Sequence, residues 1–136
     1  MCGKFEPNGT GNGTSSPVLY DSDVLIDFLN GVLLAEDLVG QDDARAVSII
    51  TWIEVSAGAR TPDTQRLSRD LLSLFEVLSL SAAVADVAAT IRRERRLKLP
   101  DAIILATARS HGLRLVTRNT KDFRPEDGDI LVPYRL

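Results

Sequence analysis

The sequence predicts an α/β domain, a three-layer α/β/α sandwich built around a mostly parallel central sheet. Short apolar runs alternate along the chain with segments whose apolar residues recur at helical spacing. The 136 residues are enough for one hydrophobic core but not for two. The apolar content of 44% and the charged content of 26% are typical of a globular domain.

The first 17 residues differ in composition from the rest of the chain. They are rich in Gly, Asn, Thr and Ser, so we expect a flexible tail or an expression remnant, followed by one domain over residues 18–136. Cys2 is the only cysteine, which excludes an intramolecular disulfide and a thiolate metal cluster. The net charge of −3 argues against nucleic-acid binding by bulk charge.

No segment of the sequence has the pattern of a membrane or secretion signal. No apolar run approaches the roughly 18 residues that a membrane span requires. The N-terminus lacks the apolar core of a signal peptide. We therefore expect a cytoplasmic protein without a membrane partner.

The first two predicted elements meet at an acidic residue. Residues 18–20 are apolar and β-prone, which predicts a short buried strand that ends at Asp21. Apolar residues then recur at helical spacing, which predicts a helix that begins by Asp23 and turns Asp27 away from the core. A short helix over residues 32–39 follows.

The middle of the chain predicts a strand over residues 46–50 and a helix that runs to about Ala59. Thr61 and Pro62 have the pattern of an N-cap and a first helical residue. The apolar residues of that helix predict a buried stripe of Leu67, Leu71, Leu74 and Phe75.

The last third repeats the alternation of strand and helix. A strand is predicted over residues 75–80, and Ser81 then caps a long helix that continues through Leu97. Asp101 lies at the start of the next helix, directly after a proline. Two further strands are predicted, over residues 113–117 and 130–132.

Four acidic residues fall at strand ends or helix starts: Asp21, Glu54, Asp101 and Asp122. The carboxyl ends of parallel strands meet at one edge of a sheet, so we expect these side chains to lie together. Two like charges about 4 Å apart repel by roughly 4 kcal/mol at an effective dielectric near 20. Such a cluster needs a cation or shifted pKa values. Oxygen ligands suit Mg²⁺, with Mn²⁺ as an alternative, and these ions assist hydrolysis of phosphodiesters.

Several of these charged residues also have structural interpretations. Thr51 and Glu54 match a capping box. Asp101 suits the dipole at a helix start, and Asp122 could belong to a capped turn. The basic run over residues 92–98 favours a solvated helix face, with contact to RNA phosphates as the alternative.

Four segments resemble, in order, the sequence blocks of PIN-domain ribonucleases, and in particular of the VapC toxins of bacterial toxin–antitoxin pairs. The first block is an apolar strand, an Asp-rich turn and an apolar helix, and the fourth is Thr-Arg-Asn followed by Asp-Phe. One block alone is a weak signal, whereas four in order are specific. The segments cover residues 18–26, 48–55, 99–108 and 115–123.

The resemblance implies a PIN-like fold and a role for each site residue. Asp21 and Asp101 would hold the metal directly, and Glu54 and Asp122 would complete the acidic pocket. The residues expected to orient ligands or substrate phosphate are Ser22, Thr117 and Asn119. This chain departs from the family at Asp23, where asparagine is usual. That residue adds charge, which leaves the number of metal ions open, or it caps the helix.

The resemblance also implies partners. Proteins of this type are homodimeric endoribonucleases that cut transfer or ribosomal RNA. They bind an antitoxin whose C-terminal segment covers the active site, often with an arginine. An arginine fits an acidic pocket because it can donate two hydrogen bonds to a carboxylate.

Two other functions are compatible with parts of the sequence. A haloacid-dehalogenase-type phosphatase would use Asp21 as its nucleophile, but the later Gly-Asp-x-x-x-Asp block is absent. A PIN-like module that only binds RNA or protein would not need all four acidic residues. The sequence therefore favours a Mg²⁺-dependent endoribonuclease.

Overall fold

The computed structural model describes residues 17–41 and 44–136, so the predicted N-terminal segment lies almost wholly outside the described residues. The described strands are β1 (Val18–Tyr20), β2 (Arg45–Ser48), β3 (Glu76–Leu78), β4 (Arg114–Val116) and β5 (Ile130–Leu131). The described helices are α1 (Ser22–Leu29), α2 (Leu33–Gln41), α3 (Ile49–Gly58), α4 (Pro62–Leu72), α5 (Ala82–Glu94) and α6 (Leu99–Ser110).

The strands form one five-stranded sheet in the order β3-β2-β1-β4-β5, and every described pairing is parallel. The central strand β1 pairs with β2 and β4, so that Leu19 lies opposite Ala46 on one side and Leu115 on the other. The predicted α/β sandwich with a mostly parallel sheet is therefore confirmed.

Alternate residues of the central strands point into two separate cores. Leu19 packs with residues of α5 and α6 on one face of the sheet. Val18 and Tyr20 pack with residues of α1, α3 and α4 on the other face. Since burying one such side chain fully stabilises the fold by about 1.5–3 kcal/mol, both faces require covering helices.

Several predicted element boundaries were wrong. Strand β2 ends at Ser48, and Ile49 and Ile50 belong to α3 instead of the strand. The Ser48 side chain accepts a hydrogen bond from the Ile50 N–H at 3.0 Å, so it caps α3 at the point where the strand ends. The third strand is shorter than predicted, and α5 ends at Glu94.

The predicted buried stripe of α4 was half wrong. Leu71 and Phe75 are buried, but the side chains of Leu67 and Leu74 are 55% and 51% exposed. The α4 boundary itself is confirmed, because Thr61 caps the helix and Pro62 is its first residue. The two exposed leucines leave an apolar face on the outside of the sandwich.

In the described part of the chain, none of the helices combines the length and apolar content that crossing a bilayer requires.

Candidate active site

The site forms where neighbouring strands β1 and β4 end. After β1, the chain forms β2 and β3 next to one edge of β1. It forms β4 next to the other edge of β1 only after α6. A crevice forms at such a reversal of strand order, outside the carboxyl ends of the strands. Asp21 directly follows β1, and Thr117 directly follows β4.

Asp21 is buried and held by hydrogen bonds at both carboxylate oxygens. The Thr117 hydroxyl donates to Oδ2 at 2.7 Å, and the Ser22 N–H donates to Oδ1 at 2.8 Å. Burial, together with the negative charge of Asp23, raises the pKa of Asp21 to about 7 against the opposing effect of these hydrogen bonds. The Asp21 carboxylate is thus held in one orientation, and burial together with the charge of Asp23 disfavours its ionised form.

Asp23 lies beside Asp21 on the first turn of α1. Its Oδ2 accepts a hydrogen bond from the Arg118 backbone N–H at 3.0 Å and lies 3.3 Å from the Thr117 hydroxyl. Its Oδ1 is buried and has no hydrogen-bond partner among the described residues. The alternative that Asp23 caps the helix was wrong, because Asp21 is the N-cap. Burial also raises the pKa of Asp23.

Glu54 reaches the site from α3 through Ser22. The Ser22 hydroxyl donates to Glu54 Oε1 at 2.5 Å, and it lies 3.2 Å from the Thr51 hydroxyl. The capping box predicted for Thr51 and Glu54 was wrong, since Ser48 caps α3 one turn earlier. The Glu54 carboxylate therefore points to the N-terminus of α1 instead of its own helix.

Asn119 and Asp122 join the same group of residues from the loop after β4. The Asn119 side-chain amide donates to Asp122 Oδ2 at 3.0 Å, and the Asn119 backbone N–H donates to the Thr117 hydroxyl at 3.0 Å. The Asp122 N–H in turn donates to Asn119 Oδ1 at 3.2 Å, which closes a small capped turn. The capped-turn interpretation of Asp122 is confirmed, and its carboxylate still borders the pocket.

Asp101 lies in the first turn of α6 and is half-buried. Burial raises the pKa of Asp101, and the negative charges of Asp122 and Glu54 raise it further. The charge of Asp101 also contributes to the raised pKa of Asp21. The four predicted acids therefore lie close enough for their charges to act on one another.

The donor atoms of this pocket suit a hard cation. They are carboxylate, hydroxyl and amide oxygens, and the buried Oδ1 of Asp23 lacks a partner among the described residues. Within the same described residues, no three acidic, histidine or cysteine side chains are arranged to hold a metal by themselves. Mg²⁺ usually binds through one or two carboxylates and keeps several waters, so these residues fit Mg²⁺ better than an ion that requires a complete protein cage.

Arg118, which follows Thr117, also makes a set of contacts that the sequence did not reveal. The Arg118 guanidinium donates to Asp27 at 2.5 and 3.0 Å, and the Tyr134 hydroxyl donates to the same carboxylate at 2.8 Å. Asp27 is buried, so the prediction that it faces away from the core was wrong. The local pattern could not reveal it, because its partner Arg118 is 91 residues away in the sequence.

The family of this chain follows from comparison with known proteins. A family model described as the PIN domain matches residues 18–125. The chain belongs to the PIN-domain family. Among curated proteins, this PIN domain is similar to Ribonuclease VapC10 of Mycobacterium tuberculosis, at 36% identity over 114 residues that cover 78% of this chain and 85% of the relative.

Solved structures with a similar fold are also known. The PIN domain is similar to a chain of a toxin–antitoxin complex from Klebsiella pneumoniae, with a TM-score of 0.81 and 41% identity over 88% of this chain and 99% of that one. It is also similar to a chain of FitAcB from Neisseria gonorrhoeae, with a TM-score of 0.73 and 25% identity over 88% and 99% of the two chains. Together with the VapC10 match, these similarities leave the phosphatase alternative without support.

Proposed function

We propose that this PIN domain is a Mg²⁺-dependent endoribonuclease and the toxin of a toxin–antitoxin pair. The observation that carries the proposal is the hydrogen bond between Thr117 and Asp21, which holds a buried carboxylate at the reversal point of the sheet. Asp101 lies close enough for its charge to act on Asp21. The similarity to a named ribonuclease over most of the chain supports the choice of RNA as substrate.

Asp21 and Asp101 would hold the ion, with Mn²⁺ as a substitute for Mg²⁺. When bound, Mg²⁺ supplies positive charge that stabilises the developing charge on a phosphodiester and lowers the pKa of an attacking water. Thr117 keeps the Asp21 carboxylate in one orientation, and Ser22 does the same for Glu54. Glu54 is exposed and Asp122 is half-buried, and either carboxylate would accept the proton that the water loses.

Cleavage by the purified chain tests the activity. We expect RNA hydrolysis with Mg²⁺ or Mn²⁺ and none with EDTA. Asp21→Asn and Asp101→Asn should each lower the rate by more than about a hundredfold, since loss of a supporting residue alone costs a metal site 10–100-fold. Glu36→Gln, an exposed acid on α2, is the control and should leave the rate unchanged. RNA binding by a wild-type protein that never cleaves would favour the non-catalytic alternative.

The antitoxin would bind in an apolar groove that leads to the acidic pocket. A cavity of about 250 Å³ lies between α1, α3 and α4, and its lining includes Ile26, Leu67 and Glu54. The exposed apolar side chains provide area for an amphipathic segment, and Glu54 marks the end nearest the site. An antitoxin arginine could then donate two hydrogen bonds to the acids of the pocket. The toxin–antitoxin complex among the similar structures supports this partner.

Neutralisation by an antitoxin tests that interface separately from catalysis. Excess C-terminal antitoxin peptide should abolish cleavage by the wild type. Leu67→Arg should keep the cleavage rate and lose most of the inhibition, because it places a charge in the apolar groove. Leu33→Arg, at an exposed position on α2, is the matched control and should still be inhibited. If the peptide leaves wild-type cleavage unchanged, the inhibition model is wrong.

We further propose that the toxin is a homodimer that acts in the cytoplasm on transfer or ribosomal RNA, as the family resemblance implies. Light scattering measures the mass of the free protein, and a monomer would contradict the first part. Sequencing of RNA ends after induced expression identifies the substrate, and ends confined to messenger RNA would contradict the second.

A further inference from the structure

We propose that the basic residues between α5 and α6 bind the phosphate backbone of the substrate RNA and lead it to the acidic pocket. The inference rests on the proposed ribonuclease function and names the surface that holds the substrate. We call this surface the basic basin. Its cavity measures about 530 Å³, and it is lined by Arg92, Arg93, Arg95, Arg96, Leu97 and Lys98.

The basic basin is not one face of a helix, as the sequence favoured. Helix α5 ends at Glu94, so the residues from Arg95 onward belong to the connection to α6. Arg92 Nη1 donates to the Leu97 carbonyl oxygen at 2.9 Å, which folds the connection back onto α5. The Leu97 side chain is buried in the core and anchors the connection there. The cations that precede and follow Leu97 in the sequence therefore line one concave surface.

Two cations of the basic basin, Arg95 and Lys98, lie next to residues of the candidate active site. Arg95 Nη2 lies 3.5 Å from the Asp122 carbonyl oxygen, and Arg95 Nη1 lies 3.6 Å from Asp127 Oδ2. Lys98 is the N-cap of α6, and Asp101 lies in the first turn of the same helix. A polyanion bound in the basin thus reaches the acidic pocket without crossing the molecule.

The charge distribution favours RNA as the occupant. The whole chain carries a net charge of −3, and the pocket itself is acidic, so most of the molecule repels a phosphate backbone. Residues 92–98 contain five cations and one acid, which makes this a local positive surface. The hot spots of protein interfaces combine arginine with buried aromatic residues, whereas residues 92–98 contain no aromatic residue and their one apolar residue, Leu97, is already buried in the core.

Arg93 and Arg96 are the residues to test, because both side chains are exposed and neither belongs to the proposed catalytic group. The variant is Arg93→Ala/Arg96→Ala in the full chain. Arg66→Ala/Arg69→Ala on α4 removes the same charge from exposed positions on the opposite face of the sheet and is the matched control. Arg93→Lys/Arg96→Lys keeps the charge. The probe is a short fluorescent RNA of mixed sequence, titrated without divalent ions over a series of KCl concentrations.

We expect the alanine variant to bind the RNA roughly tenfold more weakly at low salt. The slope of log affinity against log salt should fall by about 1.4, because each cation on a single strand contributes about 0.7. With Mg²⁺, KM for the same RNA should rise while kcat stays unchanged. The control and the lysine variant should both keep the wild-type slope.

The inference would be overturned if the alanine variant kept the affinity and the salt slope of the wild type while the wild type cleaved RNA. If that variant instead loses antitoxin binding, the basin belongs to the protein partner and the inference is again wrong. A wild-type protein that neither binds nor cleaves RNA would contradict the proposed function itself, so the two failures can be told apart.

Discussion

Arg118 binds Asp27 with two side-chain hydrogen bonds and at the same time binds Asp23 through its backbone N–H. A single residue of the loop after β4 thus connects two acids of α1: Asp23, inside the acidic pocket, and Asp27, outside it. The hydrogen bonds with Asp27, and to a lesser extent its negative charge, raise the pKa of Arg118. The ion pair therefore fixes the loop that carries Thr117 and Asn119.

Asp27→Asn should destabilise the domain by about 1–3 kcal/mol, because it leaves the Arg118 guanidinium without its charged partner. The lower part of that range is expected, since the Arg118 side chain is 29% exposed and water replaces part of the lost interaction. Chemical denaturation measures the change. Asp63→Asn removes the acid of an exposed ion pair with Arg66 and should cost less than about 1 kcal/mol. Equal losses in the two variants would contradict the role given to Asp27.

Thr117→Val should weaken Mg²⁺ binding by about 10–100-fold, since the variant removes the hydroxyl that orients Asp21 and keeps the side-chain volume. Calorimetric titration with Mg²⁺ or Mn²⁺ measures the affinity without any need for cleavage. Thr117→Ser retains the hydroxyl and should restore most of the affinity. Wild-type affinity in the valine variant would show that the Thr117–Asp21 hydrogen bond does not support the metal.

The metal-free domain should lose stability as the pH rises from about 4 to about 7. Burial raises the pKa of Asp21 from 3.8 to about 7. Between these values the folded state binds more protons than the unfolded state, so the free energy of unfolding falls with pH, by at most about 1.4 kcal/mol per pH unit for this group. Raised pKa values at Asp23 and Asp101 act in the same direction.

Denaturation in EDTA at several pH values measures this dependence. Asp21→Asn should flatten the profile, whereas Asp86→Asn, at an exposed position on α5, should not. Mg²⁺ should restore the stability of the wild type at neutral pH, because it binds only the ionised, folded pocket. A wild-type profile that rises with pH over this range would contradict the assignment.

Gly112→Ala should cost about 1–2 kcal/mol, because Gly112 has a φ of +66°, a left-handed conformation that a Cβ disfavours. It follows α6 and turns the chain into β4. A Cβ at Gly112 would meet no atom within 4 Å, so the cost is one of backbone conformation and not of space. Gly58→Ala, also in open space but at the helical end of α3, is the control and should be neutral or slightly stabilising. Thermal unfolding distinguishes the two.

The fold class was predictable because strand and helix periodicities are local properties of the sequence. Asp21 could be placed at the end of a strand for the same reason. The partners of Asp27 could not be found in this way, since Arg118 and Tyr134 come from distant parts of the chain. Leu67 was predicted to be buried because apolar spacing shows which residues share a helix face, but not whether another element covers that face.

The N-cap of α3, which is Ser48 and not Thr51, shows a second limit of prediction from the sequence. Both residue types cap helices, and the predicted strand over residues 46–50 left only Thr51 for that role. The strand stops earlier, because the chain turns into α3 once Ser48 has paired with β3. The choice of cap thus depended on sheet register, which a single sequence does not reveal.

The contact between Asp21 and Thr117 joins positions 96 residues apart in the sequence. During translation, Asp21 leaves the ribosome long before Thr117 is synthesised. A nascent chain, or a product of interrupted translation that stops before β4, carries most of the acids without the hydroxyl that holds the first of them in place. Central placement of β1 between an early and a late strand therefore delays assembly of the pocket until β4 has been synthesised.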